Sequence, residues 1–354
     1  MSAEATLARF REYMVGPARF MNLLSCFEIG VVDALRDKPG LTAADLGAAV
    51  GAKPDAIEQL LFLPVKEGFI GHDPATGGYR LDALAELTEL DLRRVLEFMD
   101  KIKVTTLRQL FWLTESVQTG TVVGLRELYG FDGDLYAAMG VHAELRESWS
   151  RLMDTVTARI DPWFFENIDV PSGSRVLDLA GNTGLGAIHT LKLTGATGLH
   201  VTTFDLPDKE AECLANFREA GVAEQTAFVG GDVFVSVPTG FDVVLVKHFL
   251  NMFDKSEAVK ILQAVHEALK PGGQVHILVP VYTEDLTQSR TVDYYPAFFL
   301  GAAIAQGGPQ KMSTFSAWLA ECGFTVTGAI TQDLAELPPD ALPLHGILTA
   351  TKPA

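Results

Sequence analysis

Three acids stand where short apolar runs end. Asp178 lies in Arg175-Val-Leu-Asp178-Leu, Asp205 closes the run from His200 to Phe204, and Asp232 follows Thr226 to Val229 across Gly230-Gly231. An apolar run that delivers an acid and then glycine fits a parallel strand whose carboxyl end meets a ligand. After Asp178 come Ala180-Gly181-Asn182-Thr183-Gly184. Gly181 and Gly184 let the backbone turn tightly where a Cβ would clash, and Asn182 tolerates positive φ. The spacing is not G-x-G-x-x-G, and the lysine of a phosphate-gripping loop is missing, which speaks against a nicotinamide or nucleoside triphosphate ligand. Asp205 falls about where an α/β unit places the carboxylate that takes both hydroxyls of a ribose.

A fourth run, Phe241 to Val246, leads into Lys247-His248-Phe249-Leu250-Asn251. Then Leu269-Lys270-Pro271-Gly272-Gly273 stops a helix ahead of a fifth strand around Val275 to Ile277. In this order, over roughly residues 170 to 280, the chain resembles the class I S-adenosylmethionine (SAM)-dependent methyltransferases. The resemblance implies an α/β fold with a Rossmann-like seven-stranded sheet, and SAM as cofactor. That molecule has a cationic methionine end, a ribose diol and a flat adenine. By the resemblance, Asp178 and Gly181 line the methionine end, Asp205 with Leu206 beside it takes the ribose, Asp232 with Val233 and Phe234 holds the adenine, and Lys247 lies near the cofactor.

The elements outside that core have a different grammar. Phe10 to Leu35 is apolar at helical spacing with a break expected near Gly16-Pro17, and Leu41 to Leu46 opens a new helix with Thr42 as its cap. Another helix begins at Pro54, with Pro64 expected to kink it or end it early, and a strand, turn and strand follow from Gly68 to Leu81. This is the outline of a winged helix. Lys53 and Lys66 are outnumbered by Asp55, Glu58 and Glu67 along its third helix, the wrong sign for tracking phosphates. The outline resembles instead the amino-terminal domain of the small-molecule O-methyltransferases, plant caffeate and isoflavone enzymes and bacterial polyketide-tailoring enzymes among them. In that family the domain serves dimerisation, so a homodimer is implied. The organisation expected is a winged-helix-like dimerisation domain over residues 1–100, a helical connector over 101–165 that contributes to the substrate pocket, and a SAM-binding domain over 166–354.

Aromatic and sulfur side chains recur on the connector, Trp149 and Met153 above all, and again after the fifth strand at Tyr294, Tyr295, Phe298 and Phe299. By family position Trp149, Met153, Tyr295, Phe298 and Phe299 wall the acceptor, which suits a small aromatic substrate. Where the family writes Lys-x-x-Leu-His-Asp-Trp this chain has Lys247-His248-Phe249-Leu250-Asn251-Met252-Phe253, so the usual histidine base is replaced by Asn251. An amide can orient an acceptor oxygen but takes no proton at neutral pH. Three accounts follow: an acidic phenol already ionised, His248 as a displaced base, or an activated carbon as nucleophile. The activity expected is methyl transfer to a phenolic or polyketide-type hydroxyl, with C-methylation as the alternative and a catalytically silent SAM-binding or regulatory protein as the alternative of another class.

Composition bounds these readings. The 354 residues carry a net charge of -17, which opposes contact with nucleic acid or anionic lipid. Cys26, Cys213 and Cys322 have no metal spacing, and the scattered histidines offer none. No apolar run is long enough to span a bilayer and the start carries no signal pattern, so a cytoplasmic protein without a metal is expected. Ser313 to Phe324 is read as a capped helix ending at Gly323, and Thr325 to Ile330 with Gly346 to Thr351 as a closing hairpin.

Overall fold

The computed structural model describes residues 2–354, which divide after Met99 into two compact units, the second being Asp100–Ala354. In the first, α1 (Ala3–Glu28) starts where Ser2 accepts the N–H of Ala5. It runs through Gly16-Pro17, where a break was expected. A proline removes one hydrogen bond from a helix of this length, and the real break comes at Gly30, whose φ of 84° no ordinary side chain favours. α2 (Val31–Asp37), β1 (Leu41–Thr42) and α3 (Ala43–Val50) follow, and a reciprocal box between Thr42 and Asp45 caps α3. α4 (Pro54–Lys66) has Pro64 in its last turn and ends two residues later. β2 (Ile70–Asp73) and β3 (Gly78–Leu81) form an antiparallel hairpin, and β1 adds to β3. Cys26, Val32, Leu35, Leu46, Ile57, Leu61 and Ile70 fill the core between the helices and the hairpin.

α5 (Glu89–Ile102) carries the chain into the second unit. A π-helical turn (Lys103–Leu107) and the short helices α6 (Arg108–Leu110), α7 (Leu113–Thr119), α8 (Val123–Tyr129) and α9 (Leu135–Val141) come next, then the long α10 (Ala143–Glu166). The sheet elements are β4 (Arg175–Leu179), α11 (Leu185–Leu193), β5 (His200–Asp205), α12 (Glu210–Glu219), β6 (Thr226–Gly230), β7 (Phe241–Lys247), α13 (Lys255–Ala268) and β8 (Leu269–Tyr282). After them α14 (Tyr295–Phe298) and a second π-helical turn (Phe299–Ala303) precede β9 (Gln310–Lys311), α15 (Met312–Glu321), β10 (Thr325–Thr331) and β11 (His345–Thr351). The strand order is β10-β11-β8-β7-β4-β5-β6, with β9 paired to the end of β8. β4 to β8 are parallel, and β10 and β11 close the sheet antiparallel.

Val243 to Val246 are fully buried, as a strand covered on both faces must be, by α13 and α15 on one side and α10, α11 and α12 on the other. The chain order reverses between β4 and β7, and the crevice at that switch point is where ligands enter such sheets. α15 differs from expectation at its start: it begins at Met312 with no side-chain cap, because the Ser313 hydroxyl donates instead to Glu284 Oε1 at 2.8 Å. Among the described residues no single helix is long and apolar enough to cross a membrane.

Candidate active site

A cavity of about 750 Å³ opens at the carboxyl ends of β4, β5, β6 and β7, and α9 and α10 form its other wall. Asp178, Gly181, Asp205, Leu206, Asp232, Val233, Phe234, Lys247 and His248 all line it, as do Trp149 and Met153. Tyr295, Phe298 and Phe299 do not: they pack in the layer behind, where the Phe298 ring stacks on Trp149 with centroids 6.1 Å apart. Asn251 is also off the wall, buried on a single helical turn from Leu250 to Met252, while Met252 and Phe253 line the cavity in its place. Its side-chain oxygen has no hydrogen-bond partner, and its backbone carbonyl accepts the N–H of Gly308.

The β4 turn is shaped around one carboxylate. Ala180 and Asn182 take φ of 56° and 48°, and a Cβ on Gly181 would overlap Asp178 Oδ2. One on Gly186 would come within 2.6 Å of the same oxygen and 2.8 Å of Lys247 Nζ. Asp178 is 1% exposed, and that oxygen has no partner. Loss of solvation raises the Asp178 pKa to about 6; Asp161 and Asp205 nearby add to the effect and Lys247 opposes it. Asp205 is oriented by two backbone donors, Asn182 N–H to Oδ2 and Leu206 N–H to Oδ1, both at 2.7 Å. Each oxygen keeps a lone pair for a ligand. Burial raises the Asp205 pKa, and the two hydrogen bonds pull the other way. Asp232 Oδ1 accepts the N–H of Phe234 at 2.9 Å, and the exposed rings and chains of Phe234 and Leu206 offer apolar surface at that edge.

Lys247 is held rather than free. Its ammonium donates to both oxygens of Asp161, at 2.9 and 2.7 Å, and Asp161 also meets His189 Nδ1 at 2.8 Å. Asp161 is wholly buried on α10, and nothing in the sequence marked it, since an acid in a helix next to Pro162 carries no spacing signal. His248 takes φ of 52°, and its ring meets the edge of His345 at 5.1 Å. Burial, with His345 and Lys247 adding, lowers its pKa well below the usual histidine value, and Nε2 has no partner. Arg146 and Tyr136 line the helical wall and were also passed over. Arg146 stands three residues before Trp149, a spacing that could have flagged it.

A family model described as an O-methyltransferase domain matches residues 112–325. An L-tyrosine C(3)-methyltransferase of Streptomyces lavendulae is 25% identical over 96% of this chain and 91% of its own length. A 3-amino-4-hydroxybenzoate 4-O-methyltransferase of Streptomyces cremeus is 27% identical over 92% of this chain and 87% of its own. Among solved structures, the mitomycin 7-O-methyltransferase MmcR superposes with a TM-score of 0.80 at 22% identity, over 98% of each chain.

Proposed function

This chain belongs to the O-methyltransferase domain family, and on that premise we propose that it transfers a methyl group from SAM to the hydroxyl of a small aromatic acceptor of secondary metabolism. The observation that carries this reading is that acids at the tips of β4, β5 and β6 line one cavity whose opposite wall presents Trp149 and Met153. SAM supplies an electrophilic methyl group on a positively charged sulfur.

The residues fit that cofactor. The unpartnered, buried oxygen of Asp178, cleared by Gly181 and Gly186, suits the cationic amino-acid end. Asp205, with its carboxylate fixed by Asn182 and Leu206, suits the ribose diol. Asp232, Val233 and Phe234 suit the edge and face of adenine. Lys247 holds Asp161 and so ties α10 to the floor of the site.

The acceptor's proton sets the chemistry on the other side. Asn251 cannot take it. His248 is kept neutral, but an imidazole with pKa below 6.5 is too weak a base for a phenol near 10, a mismatch of at least about 5 kcal/mol. An acidic phenol that enters ionised needs no such transfer. Catalysis then rests on alignment of its oxygen with the methyl group, which is worth roughly 7–11 kcal/mol in favourable cases. His248 can hydrogen-bond and orient that oxygen.

A second reading is methylation at carbon. It is favoured by the absence of a histidine at Asn251 together with the likeness to a tyrosine C(3)-methyltransferase along nearly the whole chain. The test is incubation with SAM and a panel of acidic phenols, with mass detection of a methyl gain and the carbon shift of the new methyl group by NMR. An oxygen-bound methyl supports the first reading and a carbon-bound methyl the second. Binding of S-adenosylhomocysteine (SAH) without transfer to any phenol counts against both.

We also read the first unit as a dimerisation module. Leu7, Phe10, Tyr13 and Met14 are all at least 60% exposed on α1, an apolar face suited to a second copy of the chain.

A further inference from the structure

We propose that Lys101 is a positioning residue for the acceptor wall: through Tyr294 and Phe298 it sets where the Trp149 ring stands in the cavity, and so how tightly a phenol packs there. This rests on the methyltransferase reading and adds a residue that does not itself line the cavity.

Lys101 stands at the end of α5 and is 3% exposed, and burial alone lowers its pKa well below the usual lysine value, with no acid opposing the effect. A basic group buried without an acid costs the fold stability, and an apolar side chain of similar length would fill the space at less cost. Its surroundings are aromatic. Phe298 stacks on Trp149 at 6.1 Å and 12°, and on Tyr294 at 5.5 Å and 15°. Lys101 Nζ sits against all three rings, 5.5 Å from the centroid of Trp149, 3.5 Å from that of Phe298 and 4.4 Å from that of Tyr294.

What the amine adds is direction. Stacked rings slide past one another at little cost, because apolar contact has no preferred register, whereas a hydrogen bond fixes the atoms it joins. Lys101 Nζ bonds the Tyr294 hydroxyl, and Thr106 Oγ1 stands 2.6 Å from the same oxygen. The Thr105 hydroxyl donates to the Lys101 carbonyl at 2.8 Å, and Arg151 on α10 donates to Asp100 at 2.8 Å, so this end of α5 is held on both sides of the lysine. One π-helical turn begins two residues after Lys101 and the other directly after Phe298, and such turns gather at functional sites. Tyr294 is thus pinned, Phe298 lies against it, and Trp149 lies against Phe298. Trp149 in turn meets Tyr136 edge to face at 5.5 Å, and both of these line the cavity.

The test is fluorine NMR of the full chain carrying 5-fluorotryptophan at its four tryptophans, with the Trp149 line assigned by Trp149→Phe. Calorimetry accompanies it, first with SAH and then with 4-nitrophenol and 4-hydroxyacetophenone on the SAH-saturated chain. In Lys101→Met we expect a melting temperature equal to or above that of the parent and unchanged SAH affinity. The Trp149 line should shift or split while those of Trp112, Trp163 and Trp318 stay. Phenol binding should weaken roughly three- to ten-fold, the equivalent of one aromatic contact. Tyr294→Phe, which removes the hydroxyl and keeps the ring, should displace the same line. A Trp149 line in its parental place in both variants, movement of all four lines, or unchanged phenol affinity overturns the proposal. Failure of both phenols to bind the SAH-saturated parent overturns it as well. If the parent chain does not bind SAH at all, it is the methyltransferase reading that fails, and this inference goes with it.

Discussion

Asp178 is a buried acid whose ionisation costs the fold stability. Its pKa is raised from 3.8 to about 6, so the folded state favours the protonated acid. The group's contribution is fully present below about pH 4 and is lost as pH rises through 6, a cost on the order of 3 kcal/mol at pH 8. Asp178→Asn should therefore raise the melting temperature of the free protein at pH 8 and leave it little changed at pH 4, while weakening SAH binding. For the parent chain, the proposed role of Asp178 requires that calorimetry find SAH affinity falling as pH drops through 6, where the carboxylate is neutralised. Asp205→Ala removes an acceptor already oriented by two N–H groups. It should cost about 1–3 kcal/mol of SAH binding, and unchanged affinity would reject the ribose assignment.

Between elements, the Lys247–Asp161 pair joins β7 to α10, and with it the floor of the cavity to the helix that carries Trp149 and Arg146. Lys247→Met leaves Asp161 buried with only His189 beside it. Urea unfolding should report a loss of about 3–5 kcal/mol, and the double variant with Asp161→Leu should recover most of it, since two apolar groups replace a buried pair at small cost. Equal stability of the single variant and the parent would mean the pair holds nothing together. The strands that position the acids were legible because a buried parallel strand is a continuous apolar run, as in Val243 to Val246. Helix ends were less so. Thr42 caps α3 as expected, but Ser313 spends its hydroxyl on Glu284, and a partner 29 residues away leaves no local trace.

Across the whole molecule, the charge of -17 and the acids of α4 oppose contact with a phosphate backbone. The first unit's unusual surface is the apolar face of α1. Sedimentation at micromolar concentration should find a dimer, and Phe10→Asp with Tyr13→Asp should give a folded monomer. A parent chain that sediments as a monomer would reject the dimer reading.

The succession of strands along the chain, the acids at their tips and the asparagine in place of the usual histidine were legible from the residues alone, because backbone propensity and the period of burial are local properties. Which side chains share the cavity was fixed by packing. It set Tyr295, Phe298 and Phe299 behind Trp149 and kept Asn251 off the wall. It also brought Asp161 to Lys247 across 86 residues. Those relations depend on how α9, α10 and α14 pack over the sheet, and packing is a property of surfaces that meet only once the chain has folded.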